Sequence, residues 1–112
     1  MNQLNSLILE GYVKSYEFKR TPQIDTGTLK IVSIRKYRDN AGKEATEESD
    51  FIVYVYGKNA ELCEKNAAHN RGIRIVGRLK TEHYYDGKGK DCSRVVVIAE
   101  HIEYRIDTLK ED

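Results

Sequence analysis

The chain has 112 residues, of which 39% are hydrophobic and 33% are charged, and its formal net charge is +1, as is typical of one soluble domain with a single core. No segment approaches the roughly 18 apolar residues that a membrane helix needs, and residues 1–5 lack the pattern of a secretion signal. We therefore predict a cytoplasmic protein without a membrane partner.

The first half of the chain predicts three strands. From Leu7 onward, apolar and polar residues alternate with the period of two that marks a half-buried strand. The same alternation predicts that Val53 and Val55 face the core while Tyr54 and Tyr56 face outward. The predicted strands cover residues 7–18, 29–38 and 51–56, the predicted turns residues 22–27 and 39–43, and a predicted acidic loop residues 44–50.

The second half predicts one helix and two strands. Residues 58–69 carry a narrow apolar stripe at helical spacing, and Asn70 and Gly72 are helix stop signals. Residues 73–80 alternate between an apolar face and a mostly cationic face, as in a strand. A hairpin turn over residues 84–90 then leads to a fifth strand at residues 94–99, which is too uniformly apolar for its faces to be assigned.

This order of elements predicts an all-β fold. Three strands, a helix and two strands show no βαβ alternation, which excludes a doubly wound nucleotide-binding sheet. The pattern favours a five-stranded Greek-key barrel of the oligonucleotide/oligosaccharide-binding (OB) type, with one short helix between strands 3 and 4. We predict that residues 1–105 form this domain and that residues 106–112 form a short tail.

The aromatic composition indicates a ligand class. The chain has eight tyrosines and no tryptophan, and most of the tyrosines lie near lysine or arginine in predicted strands. Rings beside cations can form a surface on which unpaired nucleobases stack. The cations gather in residues 12–43 and 58–80 while acids gather in 44–50, a segregation that fits either a groove for a phosphate backbone or an ordinary solvated surface.

Four short motifs resemble the bacterial single-stranded DNA-binding protein family. They are the opening segment 5–11 (NSLILEG), the segment 37–39 (YRD), the segment 56–61 (YGKNAE) and the segment 75–81 (IVGRLKT), in the family's order and at compatible spacing. The resemblance extends from about Asn5 to Tyr104. It implies an OB fold that binds single-stranded DNA with little sequence preference and protects it during replication, recombination and repair, associated with the nucleoid.

The resemblance also implies where bases stack. Tyr37, Tyr56 and Tyr84 stand at family stacking positions, whereas Asp50 replaces the aromatic residue usual at the start of strand 3. A carboxylate cannot stack and repels phosphate, and Tyr54 could compensate because it shares the face of Tyr56.

Neighbouring cations are the candidates for phosphate contacts, because each such contact releases counterions and makes the affinity fall with salt. They are Arg35, Lys36, Arg38, Arg74, Arg78, Lys80 and Lys88. For Tyr12, Tyr16 and Tyr104 we favour packing or interface roles.

Assembly and partners follow from the resemblance as well. It implies a homotetramer built from dimers paired through the first strand, with a dimer as the open alternative. Residues 106–112 do not resemble the family's linker and acidic tip, which recruit replication and repair proteins. The sequence fits a trimmed chain, a divergent paralogue or a different member. The alternative function is that of a primosomal replication protein N-like adaptor, which shares the barrel and acts mainly through protein partners.

Catalytic and metal chemistry find little support. Cys63, Cys92 and the three histidines show neither Cys-x-x-Cys nor His-x-x-x-His spacing, and no Walker-type loop or recognised nucleophile setting occurs. We predict free thiols, with Cys63 in the helix core, and a protein that is not an enzyme and needs no cofactor or metal.

Overall fold

Five strands and one helix make up the computed structural model, which describes residues 1–110. The elements in chain order are β1 (Leu7–Arg20), β2 (Asp25–Arg38), β3 (Glu44–Tyr56), α1 (Lys58–Asn66), β4 (Arg71–Tyr85) and β5 (Asp91–Thr108). The strands close into a barrel in the order β1-β2-β3-β5-β4, in which β4 returns to pair with β1. Only the short contact between β3 and β5 is parallel. The predicted five-stranded barrel is confirmed, with its helix between β3 and β4.

The barrel interior holds one apolar core. Each strand contributes alternate residues, because successive side chains of a strand point to opposite faces. Val53 and Val55 are fully buried, whereas Tyr56 on the other face is exposed, as the alternation predicts. The core consists of Val13, Leu29, Ile31, Val53, Val55, Ala60, Cys63, Ile73, Ile75, Val97 and Ala99.

Helix α1 packs against the barrel and is shorter than predicted. It begins after Gly57, whose φ of 60° is accessible to glycine without strain, and it buries Ala60 and Cys63. The helix ends at Asn66 rather than at residue 69, because Ala67 is extended while its amide donates to the Cys63 carbonyl at 2.7 Å. No helix within residues 1–110 is long and apolar enough to cross a membrane.

The acidic segment 44–50 is not a loop, which makes that prediction wrong. It forms the first half of β3 and pairs in unbroken register with the basic end of β2, so that Glu47 lies opposite Arg35 and Glu44 opposite Arg38. Opposite charges on facing strands stabilise such pairs. The sequence pattern missed this strand because charged residues, rather than apolar ones, occupy both of its faces.

The other four strands also extend beyond their predicted limits, β1 by two residues to Arg20. β2 already begins at Asp25, so the turn after β1 is shorter than predicted, and Thr21 closes it through hydrogen bonds with Ile24. β4 and β5 continue past the barrel as a long hairpin. β5 runs to Thr108, three residues beyond the boundary expected at residue 105; of the expected tail, residues 111–112 lie outside the described residues.

Candidate nucleic-acid interface

Two tyrosines stand on the outer face of β3. Tyr54 is half-buried and Tyr56 is 42% exposed. They lie beside Thr28 and Thr26 of β2, whose short side chains leave the rings accessible. Neighbouring aromatic rings on one strand face offer a surface on which successive bases can stack.

Shallow concavities flank the two rings on both sides. One, of about 260 Å³, lies toward β1 and β2, where Lys19 and Thr28 line it. The other, of about 330 Å³, lies toward the β4–β5 hairpin and is lined by Lys80, Thr81, Glu82, His83 and Val96. Tyr54 and Tyr56 line both concavities and therefore form a ridge between them.

Arg94 joins this ridge to Tyr84. Its Nη2 donates to the Tyr54 hydroxyl at 3.3 Å and to Glu82 Oε1 at 3.1 Å. The same guanidinium lies 5.0 Å from the centroid of the Tyr84 ring, within the range of a cation–π interaction. We call the surface formed by Tyr54, Tyr56, Lys80, Glu82, Tyr84 and Arg94 the tyrosine face.

Sequence reasoning did not single out Arg94 or Glu82. In the structure they lie directly opposite each other in the β4–β5 hairpin. The pairing could have been predicted from the hairpin turn at residues 86–90. If the two strands pair in register on either side of this turn, Glu82 lies opposite Arg94. The pairing was missed because the run after Arg94 is uniformly apolar and does not show which of its residues point outward.

The electrostatics of the tyrosine face centre on Glu82. A hydrogen bond with the Tyr54 hydroxyl, followed by the hydrogen bond from Arg94, lowers the pKa of Glu82. Desolvation, followed by the hydrogen bond to Glu82, raises the pKa of Tyr54. At neutral pH the face therefore holds a carboxylate, a guanidinium and a neutral phenol in contact.

Asp50 lies on the outer face of β3, on the side of Tyr54 and Tyr56. Its carboxylate lies 4.0 Å from Lys30 Nζ, and both side chains are more than half exposed. Four residues of strand separate Asp50 from Tyr54, a distance of about 13 Å. A negative group thus stands in line with the two rings and neutralises a neighbouring cation.

Tyr37 does not join the tyrosine face. The register between β2 and β3 is unbroken, and the β2 residues that accompany Tyr54 and Tyr56 are even-numbered, so Tyr37 points from the opposite side of the ribbon. Eleven positions along β2 separate Tyr37 from Thr26, the partner of Tyr56, or about 35 Å of strand. Tyr37 lines its own concavity of about 400 Å³, and the Arg35 guanidinium lies 5.1 Å from its ring centroid.

The predicted phosphate-binding cations separate into three groups. Arg35, Lys36 and Arg38 lie at the far end of β2, where the acidic half of β3 faces them. Three others, Arg74, Arg78 and Lys80, share one face of β4, although Arg74 is 3.8 Å from Glu103. Lys80 lines the concavity beside Tyr54, and exposed Lys88 lies in the hairpin turn.

The remaining tyrosines other than Tyr85 make local contacts. Tyr104 packs against the core beneath Arg71, whose guanidinium is 5.5 Å from its ring centroid. Tyr12 faces Arg105 at 5.8 Å. Tyr16 lies 5.8 Å from Phe18 and is 46% exposed.

The two cysteines lie apart, Cys63 in the core and Cys92 opposite Tyr84 in the β4–β5 hairpin. Cys63 is buried and Cys92 is half-buried, and both are free thiols. Burial raises the pKa of the Cys63 thiol, which keeps it protonated and unreactive. Over the described part of the chain, residues 1–110, no group of three or more His, Cys, Asp or Glu residues could hold a metal ion.

A closed five-stranded barrel with a helix between β3 and β4, and with rings and cations on its outer face, defines an OB-fold domain. The Single-strand binding protein family matches residues 4–105, and the chain belongs to this family. The single-stranded DNA-binding protein of Clostridium tetani is 30% identical over 103 residues, which covers 90% of this chain and 70% of that protein.

Solved structures share the fold. A Plasmodium falciparum SSB in complex with ssDNA superposes with a TM-score of 0.81 at 17% sequence identity, over 94% of this chain and 97% of that one. The wild-type single-stranded DNA binding protein of Thermus aquaticus superposes with a TM-score of 0.74 at 26% identity, over 91% of this chain and 50% of that chain. These likenesses confirm the predicted OB fold.

Proposed function

We propose that the protein binds single-stranded DNA, with little sequence preference, on the tyrosine face. One observation carries this proposal: Tyr54, Tyr56 and Tyr84 lie on one continuous surface that Arg94 bridges. Membership of the family supports it. Each ring can stack on any base, because every base has a π face, and stacking contributes roughly 1 to 3 kcal/mol per base.

The phosphates are held by cations beside the rings. Lys80 and Arg94 border the ridge on the hairpin side, and Lys19 borders it on the other side. Arg74, Arg78 and Lys88 extend this positive rim along β4 and its turn. Because each phosphate contact releases counterions from the DNA, the affinity falls as salt rises.

Tyr37 forms a second, separate contact with a longer strand. Its ring, with Arg35, Lys36 and Arg38, lies at the far end of β2. A strand that reaches it must extend beyond the tyrosine face by about 35 Å along β2. Short oligonucleotides therefore bind through the tyrosine face alone.

In the cell, such binding protects exposed single strands during replication, recombination and repair, next to the nucleoid. Ile8 is 66% exposed on β1, where a second copy could cover it. Pairing through β1 would give a dimer, and dimers would combine into a tetramer. Light scattering decides between the two states.

The function is tested by titrating a fluorescein-labelled dT oligonucleotide and a labelled duplex of equal length, with anisotropy as the signal. We expect a clear preference for the single strand and an affinity that falls as salt rises, with a log–log slope of about −0.7 for each phosphate contact. An equal affinity for both ligands would contradict the proposal. No binding to either would favour the adaptor alternative.

Replacing Asp50 should raise the affinity for single-stranded DNA. Asp50→Asn removes a charge that repels phosphate and releases Lys30, so we expect binding about 2- to 5-fold tighter at low salt, with a smaller gain at high salt. Asp50→Tyr adds a ring in line with Tyr54 and should gain about 5-fold more. The same anisotropy titration measures both variants. Equal affinities of wild type and both variants would mean that the DNA does not pass Asp50.

A further inference from the structure

The carboxylate of Glu82 occupies the centre of the tyrosine face. It accepts a hydrogen bond from Arg94 at 3.1 Å, and the same guanidinium nitrogen also donates to Tyr54. The Glu82 side chain is 24% exposed and that of Arg94 is 41% exposed, so the pair remains open to solvent and to a ligand. A backbone phosphate that contacts the guanidinium would have to compete with this carboxylate.

We propose that Glu82 limits the affinity of the tyrosine face for single-stranded DNA by acting as the internal counter-ion of Arg94, which a backbone phosphate has to replace. The inference rests on the proposed function. Glu82 is a positioning residue, because it acts through Arg94 rather than by touching the DNA. Arg94 is the residue that changes partners, from the carboxylate to the phosphate.

The energy scale makes this exchange possible. Partly exposed ion pairs contribute little to stability, since water and salt screen them. A phosphate forms charge-assisted hydrogen bonds with a guanidinium at least as well as a carboxylate does. The bound DNA nevertheless remains close to the displaced Glu82, so the carboxylate lowers the affinity without blocking binding.

The exchange also affects stacking on Tyr84. In the free chain the Arg94 guanidinium covers one face of that ring at 5.0 Å. When Arg94 turns to a phosphate, this face becomes available to a base. Tyr37 shows a similar arrangement, because Arg35 lies 5.1 Å from its ring centroid and Glu47 lies opposite Arg35 in the sheet.

The test is a double-mutant cycle with Glu82→Gln, Arg94→Gln and the double variant, using a labelled dT oligonucleotide at several salt concentrations. Glutamine keeps an acceptor for the Tyr54 hydroxyl but removes the charge. We expect Glu82→Gln to bind about 2- to 5-fold tighter, with an unchanged log–log salt slope, because Arg94 contacts the same phosphate in both proteins. In the Arg94→Gln background, the substitution of Glu82 should bring a clearly smaller gain, because only its direct repulsion of the DNA is then removed.

Glu64→Gln is the matched control, because it removes the same charge from an ion pair with Arg20 at 2.8 Å beside α1. It should leave the affinity unchanged. The proposal is overturned if Glu82→Gln binds no tighter than the wild type, or if its gain is equally large without Arg94. Circular dichroism confirms that each variant is folded, and Glu82→Ser repeats the charge removal should Gln unfold. Failure of the wild type to bind would instead contradict the proposed function.

Discussion

Replacing Tyr56 by alanine should weaken the binding of a short dT oligonucleotide by about 5- to 150-fold, the equivalent of one lost base stack of about 1 to 3 kcal/mol. Tyr56 and Tyr54 together form the ridge between the two concavities. Removing Tyr56 therefore leaves Tyr54 as the remaining ring of this ridge. Anisotropy titration at constant salt measures the change. Because 42% of Tyr56 is exposed, the substitution should cost little stability, and a thermal melt checks this.

Tyr37→Ala is the matched variant, since it removes a similarly exposed ring from the opposite side of the β2–β3 ribbon. With an oligonucleotide short enough to cover only the tyrosine face, Tyr37→Ala should bind like the wild type. With a strand long enough to span the roughly 35 Å to Tyr37, it should lose affinity. Equal losses for Tyr56→Ala and Tyr37→Ala on the short ligand would contradict the separation of the two sites.

Replacing Gly77 by alanine should destabilise the barrel by about 3 kcal/mol, at the upper end of the cost of overpacking. Gly77 is buried in β4, and an added Cβ would collide with the carbonyl oxygen of Ile98 on the neighbouring strand β5. Since the obstacle is backbone, a side-chain rotation cannot relieve it. Thermal unfolding at a fixed protein concentration should show a midpoint lower by about 13 °C.

Gly87→Ala provides the control for Gly77→Ala. Gly87 lies in the turn of the β4–β5 hairpin, where an added Cβ would meet no atom within 4 Å. We expect its melting midpoint to stay close to that of the wild type, because an alanine at an unhindered position mainly restricts the unfolded chain. A similar small change for both glycines would mean that β4 and β5 separate readily at Gly77.

The sequence predicted the barrel well because its evidence is local. A period of two in residues 7–14, 51–56 and 73–80 defines buried faces without knowledge of the partner strands. The same reasoning failed for the acidic half of β3, since both of its faces are solvated at the end of the β2–β3 ribbon. A strand that contributes nothing to the core leaves no apolar period to detect.

The candidate site was predicted in part. Tyr54 and Tyr56 share a face because they lie two residues apart on one strand, and the sequence alone predicts this. Arg94 and Glu82, by contrast, can be assigned to the site only from their pairing across the hairpin and from the contact of Arg94 with Tyr54 on another strand. The sequence motif that placed Tyr37 with the other stacking positions did not show the side of the ribbon from which it points.

The sequence by itself determined the fold class and the chemical character of the surface, because side-chain alternation and the presence of rings and cations are properties of single segments. Only the tertiary structure decided which rings lie together on one surface. It grouped Tyr84 with Tyr54 through Arg94, separated Tyr37 from them, and placed Glu82 between them. The physical reason is that these relations depend on strand register and barrel closure, which join residues distant in the chain.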